Sequence, residues 1–428
     1  MNIFVILPTQ LFEKKYLHKK YNYIIWEHTH YFKSYKYNKK KIILHRASMR
    51  YYYDYLKSNK FKVKYVPYDK KIKLINYKIF DPIDNIKLPG KYEMIESPNF
   101  LLTKDYYSKY RNKTDKFFFN AFYMWSKKQL NILPKVKSQD KYNREKLPNI
   151  KIPKIPSNKQ DIKYIKIGIT YVNNNFPKNY GNTKDFLFPV THKTAKKWLR
   201  DFIKNKLKKF GYYQDAITQE DKFLFHSILS TSINIGLLNP SEIVGEVLNS
   251  TRIPLNSLEG YIRQLFWREY QRYCYIYYDF SNKNYFGNRN KLTKKWYNGN
   301  LGIPPLDDSI IKAFDIGYLH HIERLMVVGN YMNLSGIHPK EGFRWFMEFS
   351  CDSYEWVMHQ NVLDMVFFVS GGDTMRRPYI SSSNYILKMS DYNKGKWSDE
   401  WDKKYYNFLK KNKKKLWKFR YYFRGLKI

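Results

Sequence analysis

The hydrophobic positions follow two different patterns along the chain. In the first part, short apolar runs at 3–7, 23–26 and 61–66 stand between polar stretches and predict β-strands. The segment Lys41–Leu56, between the second and third runs, repeats apolar residues at helical spacing. Strands that alternate with helices are typical of an α/β domain built on a parallel sheet.

The pattern fades at 132–166, where Pro, Lys, Asn and Ser dominate and a linker or long connecting loop is predicted. Beyond it, apolar residues recur every three or four positions, and Asn239 before Pro240 is typical of a helix start. The predicted organisation is an α/β domain at 1–131, the linker, and an all-helical domain at 167–428. Its helices are predicted at 193–208, 221–234, 240–248, 258–278, 307–314, 320–334, 339–349 and 352–358.

The charge balance is strongly basic. The chain has 78 Lys and Arg against 37 Asp and Glu, which gives a formal net charge of +41. A polyanionic partner is indicated, although a coding bias towards Lys, Asn, Ile and Tyr is a simpler contributor. The 42 Tyr, 29 Phe and 10 Trp suit stacking on planar ligands, while most aromatic residues in any protein pack the core.

The chain holds two cysteines, Cys274 and Cys351, and no apolar run long enough to span a membrane. These features predict a soluble protein of a reducing, intracellular compartment, in the nucleus or the cytoplasm. Two thiols cannot supply a four-cysteine zinc site or iron–sulfur cluster, so neither is expected.

Two segments could bind a ligand through hydroxyls or charges. The first, 225–234, is rich in Ser and Thr and suits a phosphate or ribityl chain, although such residues more often cap ordinary helices. The second, 256–270, pairs Glu259 with Arg263 at helical spacing and contains the large flat side chain of Trp267. A plain amphipathic helix with surface ion pairs explains the second segment equally well.

The segment Tyr318–Asn330 places two adjacent histidines and one arginine on an otherwise apolar helix. His320 and Arg324 stand at i and i+4 and are predicted to share a face, while His321 is turned away by about 100°. Adjacent helical histidines cannot converge on one ion, and no metal site is expected. A buried core histidine is the simple alternative.

Arginines and glycines gather further along. Arg376 and Arg377 follow Gly371 and Gly372, an arrangement that suits a phosphate backbone or, more simply, a solvated basic loop.

Taken in order, the motifs resemble the photolyase and cryptochrome superfamily, in particular the prokaryotic (6-4) photolyases, also called iron–sulfur bacterial cryptochromes. The resemblance rests mainly on Phe210–Ala216, Leu255–Gly260, Tyr318–Asn330 and Lys388–Tyr392. It implies an N-terminal α/β antenna-type domain followed by an all-helical domain that holds FAD. It also implies light-driven electron transfer from reduced flavin to a pyrimidine dimer flipped out of DNA.

The resemblance carries cofactor roles to named positions. Ser227 and Ser230 match hydroxyls on the phosphate and ribityl side of FAD, and Trp267 with Arg268 matches a pair on the flavin side. Arg324 matches the arginine that meets the isoalloxazine. The remaining expected cofactor-binding residues are His226, Arg263, Asp352, Tyr354, Met358 and Asn361.

The resemblance also implies the reacting groups. His321 matches the histidine that donates a proton to the lesion in (6-4) enzymes, with His320 as its neighbour on the other face. Gln264 stands on the lesion-facing side of its helix and joins Arg376 and Arg377 as an expected DNA contact. Trp345 and Trp296 match tryptophans that pass electrons from the surface to the flavin.

The chain departs from the branch at three places, of which the segment Gln264–Trp267, one residue shorter than in the branch, leaves the substrate type open. Asn393 and Lys396 stand where the branch has cluster cysteines, so no iron–sulfur cluster is expected. Met358 replaces the polar residue beside the flavin, where a thioether cannot deliver a proton. A ribityllumazine-like antenna chromophore is implied between Trp26–Glu27 and the helix at Arg46–Arg50.

The function expected from the resemblance is FAD-dependent, light-driven repair of UV photoproducts, with the (6-4) type favoured. The alternatives are a cyclobutane-dimer photolyase, a cryptochrome-like blue-light photoreceptor without repair, and a nucleic-acid-binding protein that has lost its flavin. The expected partner is UV-damaged DNA, either a duplex with a flipped-out dimer or a single strand. No membrane partner is expected, and the protein is expected to be a monomer.

Overall fold

The computed structural model describes residues 2–423, so the last five positions of the predicted helical domain lie outside the described residues. Its N-terminal part is built on a five-stranded parallel sheet with the order β3-β2-β1-β4-β5. The strands are β1 Ile3–Ile6, β2 Asn22–Trp26, β3 Lys62–Val66, β4 Asn76–Phe80 and β5 Lys91–Ile95. The three predicted strands are confirmed, whereas β4 and β5 were not predicted.

The first five helices alternate with these strands or follow them along the chain. They are α1 His30–Lys33, α2 Lys39–Ser58, α3 Lys104–Arg111, α4 Phe119–Leu130 and α5 Ile162–Asn175. Helix α2 begins after Asn38, whose side chain accepts a hydrogen bond from the Lys40 N–H at 2.9 Å. Helix α5 packs along α2, where Gly168 lets the backbone approach Ile43. Five residues predicted as linker therefore belong to a packed helix.

The rest of the described chain is mainly helical. The helices are α6 His192–Asn205, α7 Leu207–Tyr213, α8 Ser230–Asn234, α9 Pro240–Leu248, α10 Leu255–Tyr277, α11 Lys295–Asn298, α12 Pro304–Ile316, α13 Asn330–Leu334, α14 Pro339–Phe349, α15 Glu355–Met358, α16 Asn384–Met389, α17 Lys396–Lys411 and α18 Lys413–Leu416. Helix α10 is the centre of this part, because it is buried on most of its surface and packs against α4, α7, α9 and α15.

One predicted helix is mostly absent. Only Ser230–Asn234 of the predicted 221–234 segment is helical. Leu224 and Ile228 have φ angles of 47° and 56°, and such left-handed residues interrupt a helix. Asp221 stabilises the turn, since its carboxylate accepts the N–H groups of Phe223 and Leu224.

The helix predicted at 320–334 forms with a different geometry. His320 lies just before it, and its N–H donates to the Glu323 carboxylate at 3.0 Å, as at a helix N-cap. Glu323–Gly329 is a π-helix that leads into α13, and a second π-helix spans His359–Val366. The two π-helices meet at Gly329, where a Cβ would come within 2.7 Å of Val366. Wide turns of this kind often accompany functional sites.

Within residues 2–423, none of the helices is both long and apolar enough to cross a membrane.

Candidate functional site

A cavity of about 630 Å³ opens in the helical part of the protein, within the usual range of ligand pockets. Fourteen of the eighteen residues proposed from the sequence line it. They are His226, Ser227, Ser230, Arg263, Gln264, Trp267, Arg268, His321, Arg324, Asp352, Met358, Asn361, Arg376 and Arg377. The other four, His320, Tyr354, Trp345 and Trp296, lie outside its lining.

A buried ion pair joins two walls of the cavity. Arg324 Nη2 lies 2.9 and 3.1 Å from the two carboxylate oxygens of Asp352, which follows it by 28 residues. The Ser230 hydroxyl donates to the same carboxylate at 2.6 Å, and the Ser350 hydroxyl donates to it as well. Burial alone would raise the pKa of Asp352, but the Arg324 charge and the two hydroxyls outweigh it and hold the pKa below its ordinary value.

Helix α10 contributes a second cation to the cavity wall. Arg268 donates from Nε to the Asn234 side chain at 3.0 Å and from Nη1 to the Asn99 carbonyl at 2.7 Å. Its guanidinium lies over Phe100 and Trp356, at 4.3 and 4.9 Å from the ring centroids. Burial lowers the pKa of Arg268 to about 10, so the side chain stays charged near neutral pH. This fixed positive charge favours an anionic ligand group.

The same helix presents a flat aromatic surface. Trp267 stacks on Phe119 of α4, with ring centroids 3.8 Å apart and planes within 10°. Arg263 is paired with Asp140 at 2.9 Å and with Glu259, one helical turn away, at 3.4 Å. The predicted Glu259–Arg263 pair is therefore confirmed.

Three histidines meet beside the ion pair. The rings of His226 and His320 stack at 4.6 Å with planes within 12°. The Arg324 N–H donates to the His320 carbonyl at 3.1 Å, the bond of a regular helical turn. Burial lowers the pKa of both His226 and His320 well below the ordinary value, which keeps them neutral near pH 7.

His321 differs from its two neighbours because it both lines the cavity and is exposed to solvent. Its side chain is 43% exposed, and its Nε2 atom lies 3.3 Å from the Asp215 carboxylate. Asp215 is held in turn by the Tyr385 hydroxyl at 3.3 Å and by Arg144 at 3.7 Å. Of the three histidines, His321 is the one with both access to a ligand and a carboxylate that orients its ring.

The opposite wall comes from α15 and the second π-helix. Met358, at the end of α15, is buried and presents its side chain to the cavity. Asn361 also lines it, while its amide donates to the Val357 carbonyl at 2.9 Å. The thioether of Met358 is a weak acceptor without a proton to donate, which makes this part of the wall apolar.

Basic and polar residues surround the mouth. Arg376 is exposed, and the guanidinium of Arg377 lies 4.8 Å from the centroid of the Tyr422 ring. Gln264 on α10 is half-buried at the same cavity. The side chains at the mouth therefore combine positive charge, an amide and an aromatic face.

The three remaining predicted residues, Trp345, Trp296 and Tyr354, lie outside the cavity lining. Trp345 is fully buried beside Phe346, a cavity-lining residue, with ring centroids 5.3 Å apart. Its indole N–H donates to the backbone carbonyl of Trp296 at 2.7 Å. The buried hydroxyl of Tyr354 is hydrogen-bonded to His45 Nε2 at 2.9 Å, at the junction with α2.

The polar atoms of the cavity fit a large polar ligand such as FAD. Gln214, His226 and Arg268 line it and also carry buried side-chain atoms without a hydrogen-bond partner in the described chain. Such atoms are costly unless a ligand or water satisfies them. The lining combines apolar walls, two charged arginines and several hydroxyls. These are the chemical groups that would bind an amphipathic dinucleotide.

The residues at the implied antenna position are hydrogen-bonded to one another around Glu27. The buried carboxylate of Glu27 accepts hydrogen bonds from Arg46, Tyr65, Tyr171 and a backbone N–H. The guanidinium of Arg46 lies 4.1 Å from the centroid of Tyr171. Arg46 Nε is nevertheless buried without a hydrogen-bond partner among the described residues, and the antenna chromophore stays a prediction.

A family model described as "Deoxyribodipyrimidine photo-lyase-related protein" matches residues 4–88 and 77–188. The "(6-4) photolyase" of Agrobacterium fabrum is 37% identical to the chain over 285 residues, which cover 63% of this chain and 56% of that protein. The chain is similar to members of the photolyase and cryptochrome superfamily. An uncharacterized mimivirus protein, R853, is 47% identical over 111 residues, covering 24% of this chain and 85% of that protein.

Solved structures of this superfamily share the fold. A bacterial class III photolyase from Agrobacterium tumefaciens superposes with a TM-score of 0.56 at 14% identity, covering 90% of this chain and 86% of that one. A cryptochrome of Synechocystis gives a TM-score of 0.60 at 14% identity, covering 97% and 93%. The predicted combination of an α/β N-terminal part and a helical C-terminal part is confirmed.

The structure adds residues that the sequence did not single out for the site. Asp215 reaches His321 across 106 residues, and Phe119 covers one face of Trp267. Ser350 joins the ring of donors around Asp352. Asp215 lies in Phe210–Ala216, one of the motifs on which the resemblance rests. Its place in that motif was the only sequence signal for Asp215.

Proposed function

We propose that this protein is an FAD-dependent, light-driven enzyme that repairs UV photoproducts in DNA, with the (6-4) photoproduct as its preferred substrate. The observation that carries the proposal is the meeting of His321, an exposed and oriented histidine, with the Arg324–Asp352 pair in one cavity. The 37% identity to a (6-4) photolyase supports the same substrate.

In this proposal, different cavity residues bind different parts of the cofactor. Ser227, Ser230 and Arg268 would hold its phosphate and ribityl part, and Arg324 would face the isoalloxazine. When bound, FAD supplies the photochemical electron for bond cleavage in the lesion. Asp352 keeps Arg324 in place and compensates its charge, so that the ligand meets an oriented donor.

His321 is the proposed proton donor to the lesion. A general acid must first be within hydrogen-bond reach of its substrate, and His321 reaches the cavity from its edge with 43% of its side chain exposed. The Asp215 carboxylate, 3.3 Å from Nε2, favours an N–H at that nitrogen and restrains the ring. His226 and His320 are buried behind it and shape its surroundings without reaching solvent.

DNA would approach the mouth of the cavity. Arg376 and Arg377 are the proposed phosphate contacts, and Gln264 is the proposed contact to the extruded lesion. A formal charge of +41 adds a long-range attraction to any polyanion, which decreases as salt is raised.

Trp345 is the proposed electron donor nearest to the flavin, with Trp296 behind it. Trp345→Phe should slow the photoreduction of the bound flavin in the presence of an external thiol by at least tenfold. Repair by flavin that has already been reduced chemically should change by less than twofold. The two rates can be measured by absorbance under blue light, and equal photoreduction in the variant would contradict the proposed route.

The substrate is tested with two synthetic oligonucleotides, one carrying a (6-4) photoproduct and the other a cyclobutane dimer. The reduced holoprotein should restore the (6-4) oligonucleotide under blue light, and a dark sample should leave it unchanged. Chromatography of the digested strand measures both outcomes.

The same experiment separates the rival functions. Repair of the cyclobutane dimer alone would retain the photolyase activity and overturn the assignment to the (6-4) product. Failure on both substrates, with flavin bound and photoreducible, would overturn repair and favour a photoreceptor.

A further inference from the structure

The last described segment, Leu416–Phe423, has one buried and one exposed face. Leu416, Phe419 and Phe423 are buried, and Phe419 packs edge-on against Phe368 with ring centroids 5.2 Å apart. This face anchors the short 3₁₀-helix Trp417–Tyr422 to the helical part of the protein.

The opposite face is aromatic and open to solvent. The exposed fractions of Trp417, Tyr421 and Tyr422 are 50%, 79% and 50%. The guanidinium of Arg420 lies between two of these rings, at 4.9 Å from the Trp417 centroid and 4.6 Å from the Tyr421 centroid. Exposed aromatic rings next to a positive charge are typical of protein surfaces on which nucleic-acid bases stack.

This face continues from the mouth of the cavity. Tyr422 lines the cavity, and Arg377 lies over its ring at 4.8 Å. Lys418 donates to the Gly371 carbonyl at 2.7 Å, which ties the segment to the loop that carries Arg377. The exposed aromatic face is therefore attached to the mouth of the cavity.

The charged side chains around this aromatic face are all positive. From Lys403 to Phe423 the chain contains no Asp or Glu. Its basic residues are Lys403, Lys404, Lys410, Lys411, Lys413, Lys414, Lys415, Lys418 and Arg420. A partner that combines negative charge with flat apolar faces is complementary to this surface, and unpaired nucleic acid has both properties.

We propose that Trp417, Arg420, Tyr421 and Tyr422 form a stacking platform for an unpaired DNA strand that runs out of the cavity mouth. The inference deepens the proposed function, on which its choice of DNA rests. Five residue steps of a 3₁₀-helix span about 10 Å. That length matches about three stacked nucleotides at about 3.4 Å each.

Binding is measured in the dark with undamaged DNA, by fluorescence anisotropy of a 16-nucleotide oligothymidine and of a duplex of equal length. Trp417→Ala/Tyr421→Ala should weaken binding of the single strand by at least tenfold and binding of the duplex by less than twofold. Tyr92→Ala, a tyrosine 42% exposed on edge strand β5, is the matched control and should change neither.

Salt dependence gives a second readout. Lys413→Gln/Lys414→Gln should reduce the slope of log affinity against log salt for the single strand by about 1.4, since two phosphate contacts are lost. Single-strand affinity unchanged in the aromatic variant would overturn the platform, as would an equal loss on the duplex. Tighter binding of single-stranded RNA than of DNA would overturn the assignment to DNA.

These assays need neither light nor a lesion. The stacking platform can therefore be confirmed even if the protein shows no repair activity. If the platform proposal fails, the outcome of the repair test is unaffected.

Discussion

Replacing His321 with alanine is expected to slow repair of a (6-4) photoproduct by about 10²- to 10⁴-fold, the usual contribution of a positioned general acid or base. His321→Asn should lose as much, because an amide has no acidic proton to transfer. Cleavage of a cyclobutane dimer, if any is measured, should not depend on this side chain. The rate constant under saturating blue light with the lesion-bearing oligonucleotide measures the effect.

Controls distinguish lost chemistry from lost structure. His321 is 43% exposed, so its truncation should change the free energy of unfolding by less than about 0.5 kcal/mol. Flavin content should remain that of the unmodified protein. His18→Ala, an exposed histidine that does not line the cavity, is the matched control and should repair normally. Undiminished repair by both His321 variants would remove the acid role from this residue.

The fold was predictable where capping signals coincide with hydrophobic periodicity. Helices α9 and α14 have the predicted limits because a proline at the first helical position follows a capping side chain, Asn239 or His338. Strand β5 was missed because four of its five residues are exposed, so it lacks the apolar run that marks a buried strand. At the edge of a sheet, backbone pairing with β4 replaces that signal.

The site was predictable to the extent that motif residues determine it. Motif matching selected Arg324 and Asp352, which the structure pairs, but spacing alone could not reveal the hydrogen bond between Asp215 and His321 across 106 residues. The predicted helix start at His320 differs from the observed one by a single residue, because Glu323 accepts the His320 N–H and fixes the start after it.

Asp352→Asn is expected to destabilise the protein by about 3–5 kcal/mol and to lower its flavin content, because it leaves the charge of Arg324 buried without a partner. The Arg324 and Asp352 side chains are 14% and 9% exposed, so solvent screens the pair little. Glu341→Gln removes the partner of Arg344 at the same 2.8–2.9 Å distance, but those side chains are 21% and 44% exposed. That control should cost less than about 1 kcal/mol.

The difference between Asp352→Asn and the unmodified protein should depend on pH in one direction. The pKa of Asp352 is lower in the folded protein than its ordinary value of 3.8, so the unfolded chain binds the proton more readily. The stabilising effect of the carboxylate is therefore complete above about pH 5 and is lost as the pH falls through the folded pKa. Urea unfolding at pH 7, 5 and 3.5 measures this difference. Equal stability of the two proteins at pH 7 would mean that Arg324 does not need Asp352.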